Sequence, residues 1–151
     1  MLIYIIMKKV LFLLAICGIM VACGGNDSAS TKGPKVSKTV VEGCYEIPAQ
    51  DLKWTTETEW SDYSDEPRTV VELYLNVSCI AEPEVPSYLK MDLVDKDGFV
   101  VFEMGIADVP AAGQKLQVKF KEREYRKYAH EVDEILKQVT SAKFSLVPKT
   151  K

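Results

Sequence analysis

The chain predicts a mainly β protein: an antiparallel β-sandwich of about seven strands, with one amphipathic helix at about 122–140 before the last strand. Three observations lead there. Apolar and polar residues alternate at period two in several separate runs, most clearly from Arg68 to Ile80. Pro, Gly and Asp punctuate those runs, most sharply at Asp95-Lys96-Asp97-Gly98. Only one stretch of the domain changes to a helical period.

In chain order, Thr39 to Ile47 and Leu52 to Trp60 supply the first two strands. Next, Val71, Leu73, Leu75, Val77 and Cys79 share one face, while Glu72, Asn76 and Ser78 take the other. Leu89, Met91 and Leu93 alternate with Lys90 and Asp92. Asp97-Gly98 then closes a hairpin into Phe99-Val100-Val101-Phe102, because glycine takes the positive φ that a tight turn requires. Leu116, Val118 and Phe120 form a further strand, and Phe144 and Leu146 the last one. Between them, Tyr125, Tyr128, Ala129, Val132, Ile135, Leu136 and Val139 make a helical stripe. That stripe packs on an end or an edge of the sandwich. A membrane-surface helix would want a cationic polar face, and here Glu124, Lys127, Glu131 and Lys137 mix the signs. No clear N-cap residue precedes the helix.

Met91-Asp92-Leu93-Val94-Asp95, then Asp97-Gly98 and Pro110-Ala111-Ala112-Gly113-Gln114, resemble the FxLYD-type immunoglobulin-like extracytoplasmic domains over roughly Arg68 to Lys121. Met91 stands in place of the family's Phe and Val94 in place of its Tyr. The resemblance implies an immunoglobulin-like sandwich that serves as a cell-envelope module and not as an enzyme.

Ahead of the domain, Lys8-Lys9 is followed by an apolar run from Val10 to Ala22 and then Cys23-Gly24-Gly25. A short basic segment, a short apolar run and a small residue before the cut make a secretory signal. Met20-Val21-Ala22-Cys23 resembles a bacterial lipoprotein lipobox, with Met20 where Leu is usual. Cys17 after Leu14-Ala15-Ile16 is the rival, with a poorer residue before the cut and a shorter run. The run is also shorter than the ~20 residues of a spanning helix unless Met1 to Ile6 are added, and Met7 is an alternative start. The resemblance implies lipidation of the Cys23 sulfur, a tether of acyl chains (palmitate) and anchoring in the envelope of a bacterium. Gly24, where some bacteria place an inner-membrane retention Asp, leans towards the outer membrane.

Three segments follow: a signal peptide over 1–22, a flexible tether over 23–37 and the sandwich over 38–151. Without the signal, 17 basic and 22 acidic residues remain, a net charge of 17 − 22 = −5. That balance argues against nucleic acid as a partner. Asp27-Ser28-Ala29 resembles a short O-glycosylation acceptor of Bacteroides-like bacteria, with Ser28 as the site. Asn76-Val77-Ser78 fits the N-glycosylation pattern but falls inside a strand.

Cys44 and Cys79 fall in strands of an exported domain, where a disulfide persists. A bridge would stabilise by roughly 3–4 kcal/mol in the chain-entropy model. The alternative is two unpaired thiols packed as small apolar groups. Trp54, Trp60 and Tyr63 lie among Glu57, Glu59, Asp62, Asp65 and Glu66, so ring faces and carboxylates could together hold a glycan. Against that, Trp54 and Trp60 share one strand face, the usual mark of core. A glycosidase pair of carboxylates is the least favoured reading. No catalytic residue and no metal site is assigned, and no cofactor is expected. His130, the only histidine, has no nucleophile placed beside it, and Asp95 and Asp97 fail the ends of a calcium loop. The expected function is a lipid-anchored, non-catalytic binding or structural module. Its partners are the membrane, an envelope protein and, alternatively, a glycan through Trp54, Trp60 and Tyr63.

Overall fold

The architecture follows from a computed structural model that describes residues 29–63 and 65–150. Among the described residues, nine strand segments and one helix appear in the order β1 (Ala29–Val36), β2 (Thr39–Val41), β3 (Tyr45–Ile47), β4 (Gln50–Trp60), β5 (Pro67–Cys79), β6 (Ser87–Val94), β7 (Val100–Ala107), β8 (Lys115–Tyr125), α1 (Ala129–Leu136) and β9 (Ser141–Pro148). They form two antiparallel sheets. In the larger, β1 pairs β4, β2 pairs β3, and β5 lies between β8 on one side and β4 with β3 on the other. The smaller runs β7–β6–β9. The chain changes sheet at β5–β6, β7–β8 and β8–α1–β9, which makes a β-sandwich.

One interruption in the large sheet has a local cause. Pro48 has no N–H to donate, so β3 and β4 are one strand broken at Pro48-Ala49. Gln50 repairs the gap with its side chain. Its Nε2 donates to the Asn76 carbonyl (3.1 Å), and its Oε1 accepts from the Asn76 N–H (2.9 Å). Opposite, Ser37 and Lys38 separate β1 from β2. Joining each broken pair turns nine segments into seven continuous strands.

The alternating positions fill the space between the sheets as expected. Val71, Leu73, Leu75, Val77 and Cys79 of β5 are buried against Leu89, Met91 and Leu93 of β6. The Asp95 turn forms: Gly98 has φ +84°, and Asp95 Oδ1 accepts from the Asp97 and Phe99 N–H groups, both at 2.9 Å.

Three expectations need correction. Residues 29–36 are not tether but strand β1, paired with β4 from Ala29↔Thr56 to Val36↔Gln50. Thr39 to Ile47 is not one strand but a hairpin, turning at Glu42 (φ 47°) and Gly43 (φ 72°). The helix spans 129–136 rather than 122–140. Residues 122–125 continue β8 opposite Arg68 to Val71, and Arg126, at φ 62°, ends the strand. Of the stripe, Val132, Leu136 and Val139 are buried, whereas Tyr125 and Tyr128 are exposed.

The helix is fastened by threonines. Ala129 N–H donates to Thr58 Oγ1 (2.9 Å), Thr56 Oγ1 donates to Asp133 Oδ1 (2.8 Å), and Thr69 Oγ1 donates to the Lys127 carbonyl (2.8 Å). Glu131 Oε2 accepts from the Tyr128 N–H (2.7 Å), so a carboxylate satisfies a donor at the helix start.

Candidate functional site

The inner face of β4 reads Leu52, Trp54, Thr56, Thr58, Trp60 from the core towards one end of the sandwich. Trp54 is 3% exposed, and Trp60, on the same face, is 58% exposed. The cover explains the difference. β1 crosses Trp54 at Gly33, whereas helix α1 reaches only as far as Thr58 and leaves Trp60 beyond its first turn. Trp54 therefore belongs to the core. The structure does not bring Trp54, Trp60 and Tyr63 together as one platform.

A different aromatic group gathers at that end. Trp60 sits edge-on to Tyr128 (centroids 6.3 Å, 76° between planes), and Tyr128 stacks on His130 (5.8 Å, 18°). Tyr63, in the β4–β5 loop, is 99% exposed. Tyr125 ends β8 opposite Arg68, is 66% exposed, and the next residue donates its N–H to the Pro67 carbonyl (2.8 Å). Ion pairs frame the rings: Arg68–Glu59 (3.1 Å), Arg126–Glu66 (3.0 Å) and Lys127–Glu124 (2.7 Å). Sequence reasoning missed Tyr125 and Tyr128 as surface groups, because their spacing also fits the helical stripe. The usable signal was Glu122-Arg123-Glu124-Tyr125, which carries the period of two past Phe120.

The opposite end is made of loops tied by backbone hydrogen bonds. Ile80 and Ala81 N–H groups donate to the Cys44 carbonyl (2.7 and 3.2 Å), Cys79 N–H to Gln114 (3.0 Å) and Gly113 N–H to Cys79 (3.2 Å). Exposed Ile80 and Val85 stand there beside a shallow depression of about 210 Å³ bordered by Tyr45, Pro83, Pro86 and Pro110.

Cys44 and Cys79 are free thiols, so the candidate bridge is not made. Cys79 pairs with Tyr45, and Cys44 precedes Tyr45, in the turn. Each Sγ donates to the carbonyl two residues away, Cys44 to Glu42 and Cys79 to Ala81, both at 3.4 Å. Burial pushes the Cys79 thiol up, and the nearby Glu82 and Cys44 charges add to it. Burial likewise raises the Tyr45 phenol.

A cleft of about 650 Å³ opens between β1 and α1 over Trp54, Leu136 and Val139. Its charged rim is largely committed: Asp133 to Thr56, Lys137 to Glu134, and Lys32 to Asp51 (3.1 Å). Trp54 Nε1 is buried with no acceptor among the described residues. Among those residues no three His, Cys, Asp or Glu side chains gather as metal ligands, and no helix is long and apolar enough to cross a membrane. Cys23 and Ser28 lie outside the described residues.

No protein-family model matches the chain, and no curated protein or solved structure does so either.

Proposed function

We propose that this chain is a lipoprotein of a bacterial envelope, acylated at Cys23, carried on the outer membrane, and that its FxLYD-like sandwich is a non-catalytic protein–protein interaction module. The observation that carries the reading is the loop end. Three loops are locked to one another by backbone hydrogen bonds and display Ile80 and Val85 to solvent. Apolar side chains on a backbone that is already ordered lose little entropy on binding, the property a docking surface needs. A photo-crosslinker at Val85 in intact cells, beside metabolic labelling with an alkynyl fatty acid, tests both halves. The expected result is label that disappears in Cys23→Ser, and one discrete protein adduct at Val85 that is absent when the crosslinker is placed at Lys53, on the outer face of the large sheet. Absence of label defeats the anchor, and absence of a discrete adduct defeats the module.

One observation favours a second reading. Trp60 and Tyr63 are exposed among Asp62, Asp65 and Glu66, a setting that fits a glycan without Trp54. A saturable change in Trp60 emission with envelope oligosaccharides is the result that would carry it.

A further inference from the structure

We propose that the aromatic end of the sandwich, with Trp60, Tyr63, Tyr125 and Tyr128, rests in the interface of the bilayer that holds the acyl chains of Cys23. The inference rests on the lipid-anchor reading above and adds an orientation to it.

Reach sets which end of the sandwich meets the membrane. β1 runs antiparallel to β4, with Ala29 opposite Thr56 and Val36 opposite Gln50. The chain therefore enters the sandwich four residues short of the level of Trp60. Six Cα–Cα steps separate Cys23 from Ala29, a span of at most about 21 Å. Climbing from the level of Thr56 to that of Trp60 uses four strand residues, about 13 Å. The acylated residue can then lie no more than about 8 Å beyond Trp60. A tether running to residue 37 would allow about 50 Å and no contact. The loop end is out of range, since Ala29 to Val41 along β1 and β2 is roughly 40 Å of strand. A short anchor leaves the aromatic end beside the membrane and turns the loop end away from it.

The ring chemistry of that end suits the membrane boundary. Indole and phenol rings have an apolar body and a polar tip, and they partition to the boundary between headgroups and acyl chains. Trp60 and Tyr125 are more than half exposed, and Tyr63 is fully so. Tyr63 lies three residues past the end of β4, within the β4–β5 loop. Arg68, Arg126 and Lys127 are paired with Glu59, Glu66 and Glu124, Arg123 makes no ion pair among the described residues, and Asp62 and Asp65 add negative charge. That balance disfavours an anionic surface and selects a zwitterionic one. The contact is made by rings and not by lysines.

The test uses the full acylated chain on phosphatidylcholine vesicles that contain a lipid with a nitroxide at the headgroup boundary. Subtracting the emission of Trp60→Phe isolates Trp60, with buried Trp54 as the unmoved reference. The expected result is that the nitroxide lipid roughly halves the Trp60 signal and that aqueous iodide loses its access to it. Iodide quenching of Trp60 that is equal on vesicles and in a Cys23→Ser chain overturns the orientation, provided that the acylated protein floats with the vesicles. A native product without fatty acid, which does not float, overturns the anchor and the orientation together. A saturable shift of Trp60 emission by envelope oligosaccharide in the Cys23→Ser chain assigns this surface to a glycan and overturns the proposal.

Discussion

Gly33→Ala is the sharpest probe of how β1 is held. A Cβ at position 33 would lie 2.1 Å from Trp54 Cζ3, 2.4 Å from Cη2 and 3.0 Å from Cε3. Carbon pairs rest near 3.5–4.0 Å, so one methyl demands a retreat of about 1.4 Å. Trp54 cannot supply it, because its ring is buried between β1 and the core. β1 can, because it is an edge strand paired only with β4. Overpacking of this kind costs about 1–3 kcal/mol, a 5- to 150-fold loss in the folding constant. Urea unfolding followed by circular dichroism should show a lower midpoint with an unchanged slope, and Trp54 emission should shift to the red. Trp54→Phe removes the offending ring atoms. The double variant should therefore be more stable than the two single losses predict, by at least about 1 kcal/mol. A Gly33→Ala protein within about 0.5 kcal/mol of the parent, or a cycle with no coupling, would refute the packing of β1 on Trp54.

Two further outcomes follow from titrating groups. Contact with Lys119 (2.7 Å), helped by Lys121 (3.3 Å), holds the Glu72 carboxyl below the usual range although partial burial works the other way. Its stabilisation is complete above the ordinary glutamate value of about 4.3 and is lost as the pH falls through the lower folded value. Glu72→Gln should thus flatten the acid limb of a midpoint-versus-pH curve, with a loss of under about 1 kcal/mol at neutral pH; identical acid limbs would contradict the pairing. Burial raises the Cys79 thiol, and the thiolate is the reactive form, so Ellman's reagent should reach half-buried Cys44 well before Cys79. Equal rates would contradict the burial, and two thiols silent until a reductant is added would mean that they are bridged.

The strands were legible where a period of two ran long and uninterrupted. β5, β6 and the Asp95 turn are such cases: each buried face is complete, and Gly98 occupies the positive-φ position of that turn. Legibility failed where the signal was short or shared. Thr39 to Ile47 alternates through its own turn, and Glu42-Gly43 is a weaker hairpin signal than Asp-Gly. β1, with Gly33 and Pro34, has a linker's composition. It becomes a strand by pairing with β4, and Gly33 lies against the Trp54 ring where the register shifts between Lys32 and Lys35. Residues 122–125 fitted both periods, and eleven rungs of pairing with β5 decided for strand.

The candidate site failed for a related reason. Periodicity tells which face of a strand a residue occupies but not how far the covering layer extends along it. Trp54 and Trp60 share a face, and the step from core to surface between them is set by elements distant in sequence: β1 over the first, and a helix that starts at Ala129 short of the second. Thr56 and Thr58 mark that boundary. They are polar side chains on a core face, satisfied by Asp133 and by the Ala129 N–H. A buried hydroxyl on a core face predicts a polar partner packed against it. The same limit of cover makes the exposed ring available to whatever lies against that end.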